Sequence, residues 1–122
     1  IGMGEGAFRS VYPIYSYSGI VAPHSHNTFL QLLVEGGIAA LGIFVVVMLV
    51  FIKKISKTFS QSEKSSKQRL LTLAIGSGVI GFLLQSMFDY TFYNYRMMAM
   101  FFMILALGTC LGYVKEEQYE DN

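Results

Sequence analysis

The sequence predicts an all-α integral membrane protein, in which an extracytoplasmic loop precedes three transmembrane helices of a larger helical bundle. Of the 122 residues, 53% are hydrophobic and 14% are charged, a composition too apolar for an ordinary soluble domain. Three uncharged runs of 17, 19 and 18 residues lie at 36–52, 70–88 and 97–114. Helices of this length cross a hydrocarbon core of about 30 Å at about 1.5 Å per residue.

The loop between the first two runs predicts the orientation of the helices. Residues 53–69 contain six basic residues and one acid, and such an excess in a short loop is typical of the cytoplasmic side. The predicted segments of this single membrane domain are an extracytoplasmic loop (1–26), a helix (27–52), a cytoplasmic basic loop (53–69), a helix (70–88), an extracytoplasmic turn (89–96), a helix (97–114) and a cytoplasmic tail (115–122).

The chain begins with Ile1 in a glycine-rich stretch that has no secretory signal pattern, so we expect it to be the C-terminal piece of a longer protein. Its first loop is expected to include a short interfacial helix. Apolar helix faces would pack against membrane lipids and against transmembrane helices outside this chain. A net charge of +1 gives no reason to expect a nucleic-acid partner.

Two histidines, His24 and His26, stand directly before the first predicted helix in the stretch PHSHNTFLQLLVEGG. Asn27 or Thr28 is a suitable N-cap, the latter in a Thr-x-x-Gln box with Gln31. The first-turn amides would then be free to attract an anion, and the helix dipole would favour a neutral His26 able to accept a proton. The alternative is that both histidines are interfacial side chains hydrogen-bonded to headgroups or water.

The first helix also has a polar face. Thr28, Gln31 and Glu35 project within about 60° of one another at about 100° per residue, and Ala39 and Gly42 continue that stripe. One face of this helix is therefore polar near the membrane surface and has small residues deeper down.

No metal and no cofactor are expected. His-x-His offers two metal ligands, but a third would have to come from Glu5, Glu35 or Asp89 folding towards the histidines. The single cysteine, Cys110, lies within the third apolar run and is interpreted as a small hydrophobic residue.

The glycines of the second run are interpreted as packing positions. GSGVIG, at 76–81, satisfies the dinucleotide-binding pattern, but a Rossmann fold needs a preceding strand and water around the pyrophosphate. Small residues in membrane helices allow close backbone approach. The set assigned to packing comprises Ala74, Gly76, Gly78, Gly81, Gly108 and Gly112.

Only two of the nine basic residues, Arg9 and Arg96, fall on the predicted outer side. The planar guanidinium group donates paired hydrogen bonds to phosphate oxygens and stays charged, so both residues are candidates for binding a diphosphate. The alternative for Arg96 is an ion pair with Asp89 across the short turn, and the alternative for Arg9 is a solvated loop charge.

The order of three stretches resembles the C-terminal part of the O-antigen ligase and O-antigen polymerase family of bacterial multi-pass membrane proteins. These stretches are GMGEGAFRSVYP, HSHNTFLQLLVEGGIAALGIFV and DYTFYNYRMMAMFFMILAL, with a basic loop before the last. The ligases of this family share a signature in which a His is followed by Asn, Ser or Gln and, after nine intervening residues, by Gly. His26, Asn27 and Gly37 resemble this signature, whereas Ala40 stands where the ligases usually carry Gly, Thr or Tyr. Ligase and polymerase therefore remain two interpretations.

The resemblance implies an enzyme of cell-surface polysaccharide and lipopolysaccharide biosynthesis in the bacterial cytoplasmic membrane. It would transfer a glycan from an undecaprenyl diphosphate carrier to a hydroxyl of a sugar, lipid or protein acceptor on the outer face, without metal. His26 would be the catalytic base. The polar stripe of Thr28, Gln31 and Glu35 would line the groove between lipid carrier and sugar. The residues assigned to substrate binding are Arg9, His24, Asn27, Gln31, Glu35 and Arg96. Enzymes of this family have many more helices, so this chain alone is expected to be inactive.

Two other classes of function remain open. A transporter of small solutes could use the polar stripe as a permeation path, although no charge lies at the centre of any apolar run, where coupled transporters commonly need one. A purely structural membrane anchor is also compatible with the composition, but it leaves the histidines and the outer arginines without a role.

Overall fold

The structure is a computed structural model that describes residues 1–17 and 22–113. Within these ranges every regular element is helical, which confirms the predicted all-α class. The elements are α1 (Ala7–Tyr15), α2 (Thr28–Gln61), α3 (Lys67–Gln85), a 3₁₀ turn (Thr91–Tyr93), α4 (Tyr95–Cys110) and a second 3₁₀ turn (Leu111–Tyr113). The spans Thr28–Gln61, Lys67–Gln85 and Tyr95–Tyr113 are long and apolar enough to cross a membrane.

The helices extend beyond the uncharged runs on the side of the basic loop. α2 continues to Gln61 rather than ending at Ile52, and α3 begins at Lys67 rather than Leu70. Charge limits the part of a helix that lies in hydrocarbon, but capping decides where the helix itself begins and ends. Here the Ser66 side chain accepts a hydrogen bond from the Arg69 amide, so the connection shortens to residues 62–66.

The helix ends at the turn between α3 and α4 also differ from the prediction, by three residues for α3 and two for α4. α3 ends at Gln85 and α4 begins at Tyr95, so the turn between them covers residues 86–94. The short helix expected in the first loop is present as α1. The predicted tail, 115–122, lies outside the described residues.

A break at Gly37 divides α2 near its start. Gly37 has φ 73° and ψ −173°, which is not a helical conformation. The carbonyls of Val34 and Glu35 accept hydrogen bonds from the amides of Met3 and Gly4, both at 2.9 Å. The first residues of the chain therefore occupy the break, and the continuous stripe from Thr28 to Gly42 predicted for a regular helix is interrupted.

Aromatic and aliphatic side chains of α2, α3, α4 and the first 3₁₀ turn form one core. Its buried members are Phe44, Met48, Phe51, Ile55, Val79, Phe92, Phe101 and Leu105. Most other large apolar side chains of the three long helices are exposed, including Leu49, Ile80 and Leu107 at 61%, 53% and 57%. Such faces are typical of helices that meet lipid or further helices.

The small residues assigned to packing differ in how closely other side chains approach them. A Cβ atom at Gly76 would make an ordinary contact with Ile55, at 3.7 Å. A Cβ atom at Gly108 would lie 2.9 Å from both Phe51 and Ile75, and one at Gly112 would lie 2.8 Å from the Thr58 hydroxyl. Close packing is therefore confirmed at these two positions. Gly78 and Gly81 have no neighbouring atom within 4 Å of such a Cβ, so packing within the described residues does not explain them. All three glycines of GSGVIG lie inside α3, as their interpretation as membrane-helix residues requires.

Phe92 fixes the turn between α3 and α4 to the core. This side chain is 5% exposed, and its ring lies 5.8 Å from those of Phe44 and Phe82 and 5.4 Å from that of Phe101. A buried aromatic ring in the middle of a turn determines the position of the residues on either side. Asp89 and Tyr90, just before it, are thereby held beside the start of α2.

Candidate functional site

The site lies where the start of α2 meets the turn between α3 and α4. Asn27 is the N-cap of α2, because its side-chain carbonyl accepts a hydrogen bond from the Leu30 amide at 2.9 Å. Its amide nitrogen donates to the Met87 carbonyl, also at 2.9 Å. Of the two predicted caps, the structure selects Asn27, and this one side chain links the helix start to the turn.

Thr28 forms the second link and is completely buried. Its amide donates to the Ser86 carbonyl at 2.8 Å, and its hydroxyl contacts the Asp89 carbonyl at 3.1 Å. The same hydroxyl oxygen accepts from the Thr91 amide at 3.2 Å. Polar groups buried with their hydrogen bonds satisfied hold a single arrangement, so Thr28 fixes the start of α2 against the turn that carries Asp89.

His26 and Asp89 form the central pair of the site. The Nδ1 atom of His26 lies 3.3 Å from Oδ1 of Asp89, and the side chains are 66% and 50% exposed. His26 has φ 50°, in the left-handed region that few residues other than glycine adopt. A neutral imidazole that donates Nδ1–H to the carboxylate has a lone pair on Nε2, and a protonated one forms an ion pair.

Asp89 pairs with His26 instead of the partner that the sequence suggested. The sequence-based alternative paired Asp89 with Arg96, but no such ion pair is formed among residues 1–17 and 22–113. Oδ1 of Asp89 also accepts the Tyr90 amide at 2.8 Å. The 3₁₀ turn explains the difference, because it directs Asp89 towards α2 while Arg96 lies in the first turn of α4.

His24 lies beside this pair in an aromatic environment. Its ring is 4.4 Å from that of His26, 5.3 Å from that of Tyr93 and 5.8 Å from that of Tyr90. The Nδ1 atom of His24 is buried and has no hydrogen-bond partner among the described residues. One ring nitrogen of each histidine and one carboxylate oxygen of Asp89 all lie within 4.8 Å of one another.

The polar stripe of the first helix supports the site rather than lining an open groove. Gln31 is 2% exposed; its side-chain carbonyl accepts from the Ser25 amide at 2.9 Å and its amide group donates to Glu35 at 2.8 Å. Glu35 also accepts the Gly6 amide at 2.8 Å. The predicted Thr-x-x-Gln box is absent, because both side chains bind other partners. Gln31 and Glu35 thus connect the loop before α2 that carries His24 and His26, here named the histidine loop, to the first residues of the chain.

The amides at the start of α2 are less available than the sequence predicts. Those of Thr28, Leu30 and Gln31 already donate to the Ser86 carbonyl, the Asn27 side chain and the Asn27 carbonyl, at 2.8, 2.9 and 2.9 Å. The expected anion site on free first-turn amides is therefore wrong for these three groups. Capping satisfies their hydrogen bonds within the protein.

The two predicted phosphate-binding arginines remain exposed. Arg9 lies on α1 and Arg96 on α4, and both are exposed. Neither forms an ion pair within the part of the chain that the structure describes. Among the described residues, neither guanidinium group forms a hydrogen bond or an ion pair with His26 or Asp89. The structure therefore gives only their positions, on α1 and α4.

Sequence reasoning left Ser86, Tyr90 and Thr91 out of the site. Ser86 is buried, and its hydroxyl is 2.8 Å from that of Thr91. Burial raises the pKa of Tyr90, and the negative charge of Glu35 raises it further, so its phenol stays neutral at physiological pH. The available signal was the group of polar residues that directly follows an apolar run, but the sequence did not show which helix they would face.

Comparison of the chain with protein-family models, with curated proteins and with solved structures finds no match.

Proposed function

We propose that this chain carries the catalytic end of an O-antigen ligase-like glycosyltransferase. The enzyme moves a glycan from undecaprenyl diphosphate to an acceptor hydroxyl on the outer face of the bacterial cytoplasmic membrane. The observation that supports this most directly is the His26–Asp89 pair, with 3.3 Å between Nδ1 and Oδ1. A carboxylate that orients an exposed imidazole is a common arrangement for a general base.

In this mechanism Nε2 of His26 accepts the proton of the acceptor hydroxyl as its oxygen bonds to the anomeric carbon of the donor. The bond between that carbon and the diphosphate oxygen breaks, and the diphosphate leaves with the electron pair. Asp89 stabilises the imidazolium formed, because its Oδ1 lies next to Nδ1. The acceptor oxygen supplies the electrons of the new bond, so no redox cofactor is required.

The leaving diphosphate gains negative charge during the reaction, and exposed cations are suited to stabilise it. Arg9 and Arg96 are the arginines assigned to this role, since both are exposed and neither is engaged in an ion pair within the described ranges. His24 lies beside the base, and its ring, together with those of Tyr90 and Tyr93, provides an aromatic surface for the bound sugar. Asn27 and Gln31 act by holding the loop that carries both histidines, and Glu35 extends that support.

The position of the site also suits this chemistry. His26 and Asp89 lie at one end of the three long helices, whereas the basic residues of 53–69 lie at the other. If the basic end is cytoplasmic, as the excess of Lys and Arg favours, the histidine end faces outward. Polymerisation of repeat units would use the same carrier and base, so it is the alternative within this proposal.

The test is glycan transfer by the full-length parent protein, reconstituted in vesicles with an undecaprenyl diphosphate-linked oligosaccharide and a chelator. The informative variants are His26→Asn, which removes the proposed base, and Arg9→Ala, which removes a cation assigned to the leaving diphosphate; both should lower transfer. Asparagine tolerates the left-handed backbone at this position, so His26→Asn removes the imidazole with little added strain. We expect it to lower transfer by about 10² to 10⁴ fold, the usual contribution of a general base.

Glu63→Gln is the matched control, because Glu63 is an acid in the basic loop at the opposite end of the helices. It should transfer glycan at the wild-type rate. Transfer retained by folded His26→Asn would overturn the assigned base. Absence of transfer by the wild type, together with solute flux across the vesicles, would favour a transporter instead.

A further inference from the structure

We propose that His24, His26 and Asp89 form a binding site for a divalent transition-metal ion such as Zn²⁺. The three residues come from two separate segments, the loop before α2 and the turn after α3. His26 and Asp89 are 63 residues apart in the sequence, so only the fold brings the two segments together. Binding by this site is independent of any glycan and extends beyond the proposed function.

The geometry provides three ligand atoms within reach of one ion. One nitrogen of each imidazole and one oxygen of the carboxylate lie within 4.8 Å of one another. Neighbouring ligand atoms in a tetrahedral zinc shell lie about 3.3 Å apart, so the largest separation must close by about 1.5 Å. Rotation of the His26 and Asp89 side chains can supply this movement, because they are 66% and 50% exposed.

The buried ring nitrogen of His24 is the second observation. A buried polar atom without a hydrogen-bond partner is unfavourable, and Nδ1 of His24 is such an atom among residues 1–17 and 22–113. A metal ion bound at Nδ1 would supply the missing partner, and Nε2 would then carry the proton. The contacts with Tyr90 and Tyr93 already restrict the position of the ring.

The donor set selects the class of ion. Two imidazoles and one carboxylate suit Zn²⁺, Cu²⁺ or Ni²⁺, whereas Mg²⁺ and Ca²⁺ prefer shells of oxygen atoms. Three protein ligands leave one tetrahedral position open for water or an exogenous ligand. The aspartate also contributes a negative charge next to the cation, which strengthens binding.

The site shares His26 with the proposed base, and the following consequence rests on that proposed function. An imidazole that holds a metal on one nitrogen carries a proton on the other, so it has no lone pair to accept a proton from the acceptor hydroxyl. Bound Zn²⁺ should therefore inhibit glycan transfer, and a chelator should restore it. Zinc would regulate the enzyme rather than take part in the reaction.

The test is isothermal titration of the purified, metal-free protein with ZnCl₂ in detergent micelles. The wild type should bind one Zn²⁺ and show no heat with MgCl₂. His24→Asn and Asp89→Asn should each weaken zinc binding by at least about tenfold, since each removes one of three ligands. Glu5→Gln is the control for non-specific binding, because Glu5 is a carboxylate outside the three-residue cluster.

Electron paramagnetic resonance of the Cu²⁺-loaded wild type tests the ligands without any variant. We expect hyperfine splitting from two imidazole nitrogens. Coupling to fewer than two, or zinc affinity unchanged in both ligand variants, would overturn the proposed site. Because neither measurement involves transfer, zinc binding without activity contradicts only the proposed function, and activity without zinc binding contradicts only the metal site.

Discussion

At the scale of single residues, the position of His26 depends on an uncommon backbone conformation and on one partner. Its φ of 50° directs the chain from the histidine loop into the cap of α2, and Asp89 lies 3.3 Å from its ring. Residues in such conformations cost of order 1–3 kcal/mol and persist where surrounding contacts hold them. The contacts here are those of Asn27 and Thr28 with the turn after α3.

Replacing Asp89 with Asn tests the orientation of the imidazole. The amide keeps the size of the side chain but loses the negative charge that stabilises an imidazolium, so transfer should fall at least about tenfold. The backbone carbonyl of Asp89 still binds Thr28, and the melting temperature should therefore change little. The measurements are the turnover rate and the melting temperature of the parent protein, each compared between wild type and Asp89→Asn. An unchanged rate would show that Asp89 has no part in catalysis.

At the scale of secondary structure, α2 is interrupted where the first residues of the chain pass it. A Cβ atom at Gly37 would lie 2.5 Å from the Gly2 nitrogen, and one at Gly2 would lie 2.1 Å from the Glu35 carbonyl oxygen. Both positions therefore require glycine. The break leaves Glu35 within reach of the Gly6 amide, which connects the segment before α1 to the site.

Gly37→Ala should lower the free energy of unfolding by about 1–3 kcal/mol, since an alanine at φ 73° is strained and its methyl group meets Gly2. Gly42→Ala is the matched control, because Gly42 lies in the same helix and no atom of residues 1–17 and 22–113 lies within 4 Å of a Cβ there. Its stability should be equal to that of the wild type or slightly higher. Denaturant titration followed by circular dichroism compares the two variants, and equal stabilities would contradict the proposed role of the break.

The 3₁₀ turn depends on Phe92. Truncation of a buried phenylalanine costs about 3–5 kcal/mol, so Phe92→Ala should destabilise the protein and release the turn that carries Asp89. Phe88→Ala, at a position that is 78% exposed, should have a much smaller effect. Thermal unfolding in detergent measures both. Similar losses in the two variants would indicate that the turn is not anchored by the core.

At the scale of the whole molecule, the site and the basic residues lie at opposite ends of one helical bundle. The excess of basic residues in 53–69 predicts that this end is cytoplasmic. If so, the exposed Pro23 beside the histidines faces outward and Ser65 faces the cytoplasm. The apolar faces of α2, α3 and α4 would then lie at membrane depth.

This orientation predicts the labelling of single cysteines introduced into a Cys110→Ala background. A membrane-impermeant thiol reagent added to intact cells should label Pro23→Cys and leave Ser65→Cys unlabelled until the membrane is permeabilised. The two positions serve as controls for each other. Labelling of Ser65→Cys alone would reverse the orientation and place the site on the cytoplasmic side.

Prediction from the sequence was most successful where composition alone decides the outcome. Uncharged runs long enough to span a bilayer predicted the three long helices, because burying charge in hydrocarbon is costly at any position. It was less successful at the helix ends, where Ser66 and Asn27 decide by capping. It failed at Gly37, because a glycine in an apolar run is compatible with both a regular helix and a break.

The all-helical class, the three apolar spans, the polar cluster before the first helix and the basic cluster after it can all be predicted from the amino-acid sequence. These features follow from local composition and periodicity, which need no knowledge of contacts. Three features depend on how the helices pack: Asp89 contacts His26 rather than Arg96, Gln31 is buried and His24 lies against two tyrosines. His26 and Asp89, for example, are 63 residues apart in the sequence. Local composition does not predict a contact between such distant segments, because it depends on how Phe92 and Thr28 pack.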